Sequence, residues 1–370
     1  MKIRSARLHH ARLALVRPFR TSFGTATHRE LLVLRLETDL GIGWAECAAD
    51  PDPLYSSEFL AAAVLVLRDH LVPRLTAAGD VTADSVAGLL EGVAGHPMAK
   101  HVLETAVLDA ELRAQARSFA SRLGATVTHV PAGVSVGITP DVGSLLAEVE
   151  SYLDAGYRRI KLKIEPGWDL TPVEAVRDTF GAIPLQVDAN AAYDRGDLDH
   201  LRRLDDFDLL LVEQPFAEHD LLTHAAAAAL WTTPVCLDES IASVHDLQTA
   251  LALSACDVVN IKPARVGGYL EAVRIHDVAR RHALPVWCGG MLETGIGRAA
   301  NLALAALPGF TLVGDVSASG RYYQQDLTPE FVLVDGHLAV PDGPGSGVEV
   351  DEAALADATE RVIELVGADL

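Results

Sequence analysis

The sequence predicts an α/β protein in which a parallel (β/α) barrel follows a smaller α+β domain. Five strand-like segments each end in an ionisable residue, at steps of 25, 25, 25 and 24 residues: Lys163, Asp188, Glu213, Asp238 and Lys262. A step of that length fits one strand, one helix and two short loops. These segments are almost continuously apolar, as a parallel sheet buried on both faces requires. With 370 residues and 49% hydrophobic composition, the chain can bury one large core and a smaller one.

The predicted first domain covers residues 1–125. Residues 1 to about 50 have the pattern of strands and turns, and LLVLRLETDLGIGWAE contains two strands joined by an Asp-Leu-Gly turn. Two helical patterns follow, EFLAAAVLVLRDHLVPRL and MAKHVLETAVLDAELRAQARSFASRLG. The second has helical apolar spacing and ends at Gly124, which we expect to be its C-cap.

The predicted barrel covers residues 126–320. Helical stretches separate eight short apolar segments: HVPAGVSVGI, RRIKLKI, IPLQVDA, DLLLVEQP, PVCLDES, DVVNIKP, LPVWCGG and FTLVGDVS. The following segment, 321–370, breaks this rhythm and contains the turn-rich stretch LVDGHLAVPDGPGSGVEVD. We expect it to return to the first domain rather than extend the barrel.

Composition excludes several classes of function. The formal charge of -21, without any basic run, argues against nucleic acid or an anionic membrane as a partner. The N-terminus lacks the unbroken apolar stretch of a signal peptide, and the longest apolar run, 59–67, is too short to span a bilayer. The four cysteines form no Cys-x-x-Cys pair, which favours reduced thiols. We expect a cytoplasmic protein that acts on a small molecule.

The five strand-end residues point to metal-assisted chemistry. Parallel strands of a barrel bring their C-terminal ends to one mouth, where barrel enzymes carry their active sites. Hard oxygen ligands that suit Mg²⁺ are supplied by Asp188, Glu213 and Asp238. The set contains neither His nor Cys, which argues against zinc. The alternative is that these are ordinary loop acids or helix N-caps. Lys163 and Lys262 lie on either side of the three acidic strands, so we expect them to face each other across the mouth.

That geometry suits removal of a proton from a carbon next to a carboxylate, because a divalent cation stabilises the resulting enolate. Such a lysine acts as a base only when neutral, and a positive neighbour favours that state. Lys161 lies two residues before Lys163 in the same strand, so both side chains point to the same face of the sheet. Lys161 can therefore be the positive neighbour of Lys163. Arg265 can be the positive neighbour of Lys262. The alternative is that Arg265 simply pairs with an acidic residue on a neighbouring loop. Asn190, in the VDAN motif, is expected to support the same site.

The motifs Lys161-x-Lys163, VDAN, EQP, LDES and NIKPARVGG, in this order and spacing, resemble the enolase superfamily in its muconate-lactonizing branch. The resemblance covers nearly the whole chain. It implies a modified TIM barrel, (β/α)7β, closed by an N-terminal α+β capping domain. It also implies Mg²⁺ as cofactor, with Mn²⁺ or Co²⁺ as substitutes, a small carboxylate substrate, and a homo-oligomer, either a dimer or an octamer.

Within that branch, CGGMLETGIGRAANLALAALPGFTLVGDVSAS is similar to the o-succinylbenzoate synthase and N-succinylamino acid racemase family. This implies racemization of N-succinyl or N-acyl amino acids by both lysines, or a dehydration in menaquinone biosynthesis by Lys163. Arg265 favours racemase activity. The alternatives are a muconate cycloisomerase and a dipeptide epimerase, although the epimerase's Asp-x-Asp pair is replaced here by Asp315-Val316-Ser317. A non-catalytic metal- or ligand-binding protein is the alternative of another class.

The resemblance also suggests where substrate binds. Two loops of the first domain, PFRTSFG and DPDPLYSS, correspond to the capping loops of the family, although packing within their own domain explains their aromatic residues equally well. Backbone after the seventh barrel strand would meet the acyl chain, and a serine of the first barrel strand the carboxylate. The expected substrate-binding residues are Phe19, Phe23, Tyr55, Ser135, Gly289, Gly290, Met291 and Glu293.

Overall fold

The first domain is built on an antiparallel sheet. In the computed structural model, which describes residues 1–366, its first three strands are β1 (Ile3–Thr21), β2 (Gly24–Thr38) and β3 (Gly41–Cys47). The turn between β2 and β3 lies at the predicted Asp-Leu-Gly, where Thr38 Oγ1 donates to the Gly41 carbonyl oxygen at 2.8 Å. The leucines of β2 are buried on both faces of the sheet, so this sheet packs against other elements on each side.

Helices cover one face of that sheet. They are α1 (Leu60–Val66), α2 (Val72–Ala78), α3 (Ala83–Leu90), α4 (Pro97–Ala114) and α5 (Phe119–Leu123), with a π-helical turn over Leu67–Leu71. The helix predicted to run to Gly124 is broken. Ala116 adopts φ 49°, and the Ser118 side chain accepts the Ser121 N–H to start α5. Gly124 then ends α5 with φ 93°, as predicted for the C-cap.

The second domain is a barrel of parallel strands. Its strands and the short strand before them are β4 (His129–Pro131), β5 (Gly133–Val136), β6 (Arg159–Lys163), β7 (Leu185–Asp188), β8 (Val212–Glu213), β9 (Val235–Leu237), β10 (Val258–Ile261) and β11 (Val286–Cys288). β5 to β11 form a parallel sheet in chain order. The segment 310–314 closes it, because Phe310 bridges Val286 and Gly314 bridges Ala132, both in parallel. The predicted α/β fold, a modified (β/α)7β barrel, is confirmed.

Helices surround the barrel. They are α6 (Val142–Asp154), α7 (Leu170–Phe180), α8 (Leu198–Leu201), α9 (Leu221–Leu230), α10 (Val244–Leu253), α11 (Pro263–Val266), α12 (Tyr269–Arg281) and α13 (Gly295–Ala305). Side chains at the N-caps Asp141, Asp220 and Ser243 accept backbone N–H groups at the first turns of α6, α9 and α10. Buried side chains of β5 to β8 and of α6 to α9 form one core, while those of β10, β11 and α10 to α12 belong to a core shared with the capping domain.

The remaining elements are β12 (His337–Ala339), α14 (Glu352–Ala358) and β13 (Thr359–Val366). β12 pairs with β4, and β13 pairs antiparallel with β1, so the last described strand is the fourth strand of the first domain's sheet. Residues 367–370 of the segment predicted to return there lie outside the described residues. Within residues 1–366, no helix combines the length and apolar character needed to cross a bilayer.

Candidate active site

A cavity of about 410 Å³ lies at the barrel mouth, beneath the end of the β1–β2 hairpin. The hairpin is attached to the barrel at several points. The Ile138 N–H donates to the Arg20 carbonyl oxygen at 2.9 Å, and the Arg20 guanidinium lies 2.6 Å from Glu165. Ser22 Oγ donates to the Ala189 carbonyl oxygen at 3.3 Å. These contacts hold the hairpin over the mouth, so both domains form the cavity wall.

The predicted strand-end residues meet at this mouth. Lys163, Asp188 and Glu213 are the last residues of β6, β7 and β8, and register pairs Lys163 with Asp188 and Asp188 with Glu213. Asp238 and Lys262 directly follow β9 and β10. Because β6 and β10 are four strands apart in an eight-membered ring, Lys163 and Lys262 reach the cavity from opposite sides.

Lys163 is held by barrel residues. Its Nζ donates to Asp188 Oδ2 at 2.7 Å and to Asn190 Oδ1 at 2.6 Å. The Asn190 side chain donates in turn to Glu239 at 2.9 Å, and its backbone N–H to Asp188 at 3.0 Å. Burial alone would raise the pKa of Asp188, but the ammonium groups of Lys163 and Lys161 outweigh it and hold that pKa below its ordinary value.

Lys262 has one barrel partner and one capping-domain partner. Its Nζ donates to Asp238 Oδ2 at 2.8 Å and to the Tyr55 hydroxyl at 3.1 Å, and it lies 4.8 Å from the centre of the Tyr55 ring. Burial would lower the pKa of Lys262, but Tyr55 and the buried carboxylates led by Glu239 outweigh burial and raise it. Arg265 contacts the same Asp238 carboxylate, so the predicted neighbour of Lys262 also pairs with an acid.

Lys161 lies at the centre of the acidic cluster. Its Nζ is 2.6 Å from Asp315, 2.9 Å from Glu213 and 3.1 Å from Asp188, and it stands 4.8 Å from the centre of the Trp287 ring. Burial would lower the pKa of Lys161, but these carboxylates, Asp315 first, outweigh burial and raise it. The ammonium group of Lys161 is therefore a cation held between two of the predicted metal ligands.

The carboxylates match Mg²⁺ in donor type, since Asp188, Glu213 and Asp238 are fully buried and supply only oxygen. Lys161 already shows that a cation fits between Asp188 and Glu213, while Asp238 is paired with Lys262 and Arg265. Within the described part of the chain, no three metal-ligating side chains yet surround one point. The donor set suits a divalent cation in its chemistry, and in this structure the ammonium groups of Lys161, Lys163 and Lys262 contact the carboxylate oxygens.

The predicted substrate-binding residues fall into two groups. Six of them line the cavity: Phe19, Phe23, Tyr55, Ser135, Gly290 and Met291. The other two are adjacent to it but do not line it. Gly289 packs against the Asn260 side chain, which leaves no room for a Cβ. Glu293 is buried and accepts the Asn301 side-chain N–H at 3.0 Å.

Sequence reasoning missed several residues of the site, among them Asp315 and Asn260. Asp315 lines the cavity and joins Lys161 to Arg159, whose guanidinium lies 2.8 Å away. Asn260 donates to Glu213 Oε1 at 2.7 Å. Both were detectable, because Asp315 lies within the eighth apolar segment directly after Gly314, and Asn260 precedes Lys262 by two residues, as Lys161 precedes Lys163.

The arrangement places two amines on opposite sides of a cavity, and each amine is hydrogen-bonded to a buried carboxylate, Lys163 to Asp188 and Lys262 to Asp238. A substrate carbon between them can lose a proton to one amine and receive a proton from the other. The capping loops contribute Phe19, Phe23 and Tyr55 to the cavity wall, so aromatic side chains would lie beside a bound substrate.

Comparison with known proteins identifies the family. The N-terminal domain model of mandelate racemase and muconate lactonizing enzyme matches residues 3–124, and the enolase C-terminal domain-like model matches residues 144–354. An N-succinylamino acid racemase of Amycolatopsis sp is 58% identical over 349 residues, covering 94% of this chain and 95% of that protein. An o-succinylbenzoate synthase of Bacillus subtilis is 42% identical over 354 residues, covering 95% of each.

A solved structure agrees with these sequence relatives. An enolase superfamily member from Listeria innocua superposes with a TM-score of 0.94 at 40% identity, and the match covers 99% of each chain. The predicted resemblance to the racemase and synthase group is thereby confirmed. The chain belongs to the enolase superfamily, in the family of mandelate racemase and muconate lactonizing enzyme.

Proposed function

We propose that this protein is a divalent-metal-dependent enzyme that racemises N-succinyl or other N-acyl amino acids by removing and returning the α-proton. The observation that carries the proposal is the placement of Lys163 and Lys262 on opposite sides of one cavity. The name of the Amycolatopsis relative, N-succinylamino acid racemase, supports the same substrate class.

In this proposal each lysine serves one face of the α-carbon. For one enantiomer, the neutral amine of Lys163 takes the proton and the ammonium of Lys262 delivers another to the opposite face. For the other enantiomer the roles reverse, so racemization needs both groups. Asn190 and Tyr55 orient the two nitrogen atoms through their hydrogen bonds.

Asp188, Glu213 and Asp238 would hold the metal, for which Mg²⁺ is the expected ion because the donors are all oxygen. A bound divalent cation supplies charge stabilisation for the enolate that forms when the proton leaves. Lys161 adds a fixed positive charge beside the same carboxylates, and Ser135 lines the cavity where the substrate carboxylate would lie.

Synthesis of o-succinylbenzoate is a second candidate activity. Dehydration needs one lysine as acid and base, here Lys163, while Lys262 remains a cation. The raised pKa of Lys262 fits that role, because the carboxylates around it favour its charged form. The Bacillus subtilis relative is named for this activity.

Replacement of Lys163 tests the proposed chemistry most directly. In deuterated water with Mg²⁺, Lys163→Ala should abolish exchange of the α-proton of an N-succinyl amino acid, because the amine that removes it is gone. Nuclear magnetic resonance of the α-position measures this exchange. Normal exchange by the folded variant would rule out the assignment of Lys163.

Replacement of Lys262 separates the two faces. Lys262→Ala should stop racemization and remove exchange from one enantiomer in preference to the other, because Lys163 still serves its own face. The same magnetic resonance assay, run separately on each enantiomer, gives the ratio of the two rates. Equal residual exchange from both enantiomers would show that Lys262 is not the opposite base.

A substrate panel distinguishes the remaining alternatives. Wild-type enzyme with Mg²⁺ would be given N-acyl amino acids, the o-succinylbenzoate precursor, a dipeptide and cis,cis-muconate in deuterated water. Consumption of muconate alone would favour a cycloisomerase, and exchange of the dipeptide alone an epimerase. Mg²⁺ binding without turnover of any compound would favour a non-catalytic binding protein.

A further inference from the structure

We infer that Glu104, on helix α4 of the capping domain, is a positioning residue for Lys262. Its carboxylate is 2% exposed and accepts the Leu270 N–H at 3.0 Å, at the first turn of barrel helix α12. This inference rests on the proposed function, because it concerns the lysine that serves one face of the α-carbon.

The chain between Lys262 and α12 is short and conformationally restricted. Pro263 follows Lys262 and begins α11, and the Val266 N–H returns to the Lys262 carbonyl oxygen at 3.1 Å. The Gly268 N–H donates to the Pro263 carbonyl oxygen at 3.0 Å. A restraint applied at Leu270 is therefore transmitted to the backbone of Lys262 through one compact turn.

Gly268 shows that the Glu104 carboxylate is packed tightly against this turn. Its φ of 150° disfavours any side chain, and a Cβ at this position would overlap the Glu104 carboxyl group. The turn also carries Arg265, which contacts Asp238, the ion-pair partner of Lys262. Movement of the turn would therefore displace both Lys262 and the guanidinium beside its partner.

The corresponding helix after Lys163 is capped differently. The N-cap of α7 is the barrel residue Asp169. Its carboxylate accepts the Leu170 N–H at 2.6 Å and also accepts a hydrogen bond from the Tyr193 hydroxyl. The helix after Lys262 is thus capped from the other domain, and the helix after Lys163 from its own. Loss of the Glu104 carboxylate should consequently impair one face of proton transfer more than the other.

The test uses the full-length enzyme with Mg²⁺ and both enantiomers of one N-succinyl amino acid in deuterated water. Glu104→Ala should lower kcat about tenfold to a hundredfold for exchange of the enantiomer that depends on Lys262, because small misplacements of a catalytic group cost this much. Exchange of the other enantiomer should fall less than about threefold. Glu104→Gln should restore the ratio, because its carbonyl oxygen can still accept the Leu270 N–H.

Asp109 provides a matched control on the same helix. Its buried carboxylate also accepts backbone N–H groups, from Trp44 at 3.0 Å and Ser346 at 2.7 Å, but not from the turn after Lys262. Asp109→Ala should leave the ratio of the two exchange rates unchanged. If Glu104→Ala does not fold, Glu104→Asp withdraws the carboxylate by one methylene and should shift the ratio in the same direction.

The outcomes separate this inference from the proposed function. Exchange of both enantiomers by wild-type enzyme, with an unchanged ratio in folded Glu104→Ala, would overturn the positioning role alone. An equal loss for both enantiomers would also overturn it, because that is the result of a general structural defect. No exchange by wild-type enzyme would overturn the proposed function and this inference together.

Discussion

The two candidate lysines differ in where their partners come from. Lys163 is hydrogen-bonded to Asp188 and Asn190, which are both barrel residues. Lys262 is bonded to Asp238 of the barrel and Tyr55 of the capping domain. Displacement of the Tyr55 loop would therefore remove a partner from Lys262 while leaving both partners of Lys163 in place.

Tyr55→Phe tests this difference at a single atom. The change removes the hydroxyl 3.1 Å from Lys262 Nζ and keeps the ring. We expect about a fivefold loss of exchange for the Lys262-dependent enantiomer, equivalent to one hydrogen bond of about 1 kcal/mol, and little change for the other. Tyr152→Phe is the control, since that hydroxyl donates to Glu148 at 3.0 Å instead. An unchanged ratio in Tyr55→Phe would contradict the asymmetry.

Much of the site was predictable at this scale because the strand ends repeat at a constant step. The spacing alone brings Lys163, Asp188, Glu213, Asp238 and Lys262 to one mouth. The Glu104 contact was not predictable, because the sequence separation between α4 and α12 carries no periodic signal. It depends on how the two domains pack.

At the scale of elements, β3 and α4 approach so closely that a glycine is required between them. A Cβ at Gly43 would overlap the Ala106 carbonyl oxygen and lie 2.8 Å from the Ala110 nitrogen. The backbone of α4 therefore lies directly on β3. The same helix carries Glu104, so the sheet of the capping domain supports the helix that reaches Leu270.

Gly43→Ala should destabilise the protein by about 1–3 kcal/mol, because the new methyl group forces β3 and α4 apart. Gly88→Ala on α3 is the matched control. Gly88 has open space around its Cβ position, and alanine favours the helix by about 0.5–1 kcal/mol. Urea unfolding of wild type and the two variants measures the free energy of unfolding, which should fall in Gly43→Ala and rise in Gly88→Ala. Equal midpoints for the two variants would contradict the close approach.

The break between α4 and α5 shows where sequence periodicity fails. The apolar pattern continues through residues 115–118, so it predicts one helix. The structure interrupts it there because the Gly345 N–H donates to the Arg117 carbonyl oxygen and the Phe119 N–H donates to the Gly345 carbonyl oxygen. Gly345, which pairs with these backbone groups, lies 228 residues beyond Arg117 in the chain, so no local pattern reveals it.

At the scale of the whole molecule, buried acids of the capping domain contact barrel helices. Besides Glu104, Glu46 of β3 accepts the Thr294 N–H at 3.1 Å and the Gly297 N–H at 3.3 Å, at the start of α13. Burial, with the nearby Glu293 carboxylate, raises the pKa of Glu46 to about 8. The interface between the domains therefore contains a buried carboxyl group whose pKa lies well above its ordinary value.

This raised pKa predicts a pH dependence of stability. Below its ordinary pKa of 4.5, Glu46 is protonated in both the folded and the unfolded protein. Its stabilising contribution to the free energy of unfolding is then fully present. As the pH rises toward about 8, the unfolded carboxyl ionises while the folded one stays protonated, and stability is lost. Glu46→Gln should remove this slope, which is at most about 1.4 kcal/mol per pH unit for one group. Thermal unfolding of both proteins between pH 5 and pH 8 measures it. Identical slopes would contradict the prediction.

The pairing of β13 with β1 has a consequence for how the protein is made. The paired residues of these strands lie up to 360 positions apart in the chain, as Ala6 and Val366 do. On the ribosome, β1 emerges before β13 and can pair at once with β2, but its other neighbour becomes available only after the whole barrel has been made. During that interval one edge of the sheet is open, with unpaired N–H and C=O groups that can join a second nascent chain. The partly synthesised chain is therefore more prone to associate with other chains than the finished protein, in which β13 covers this edge of β1.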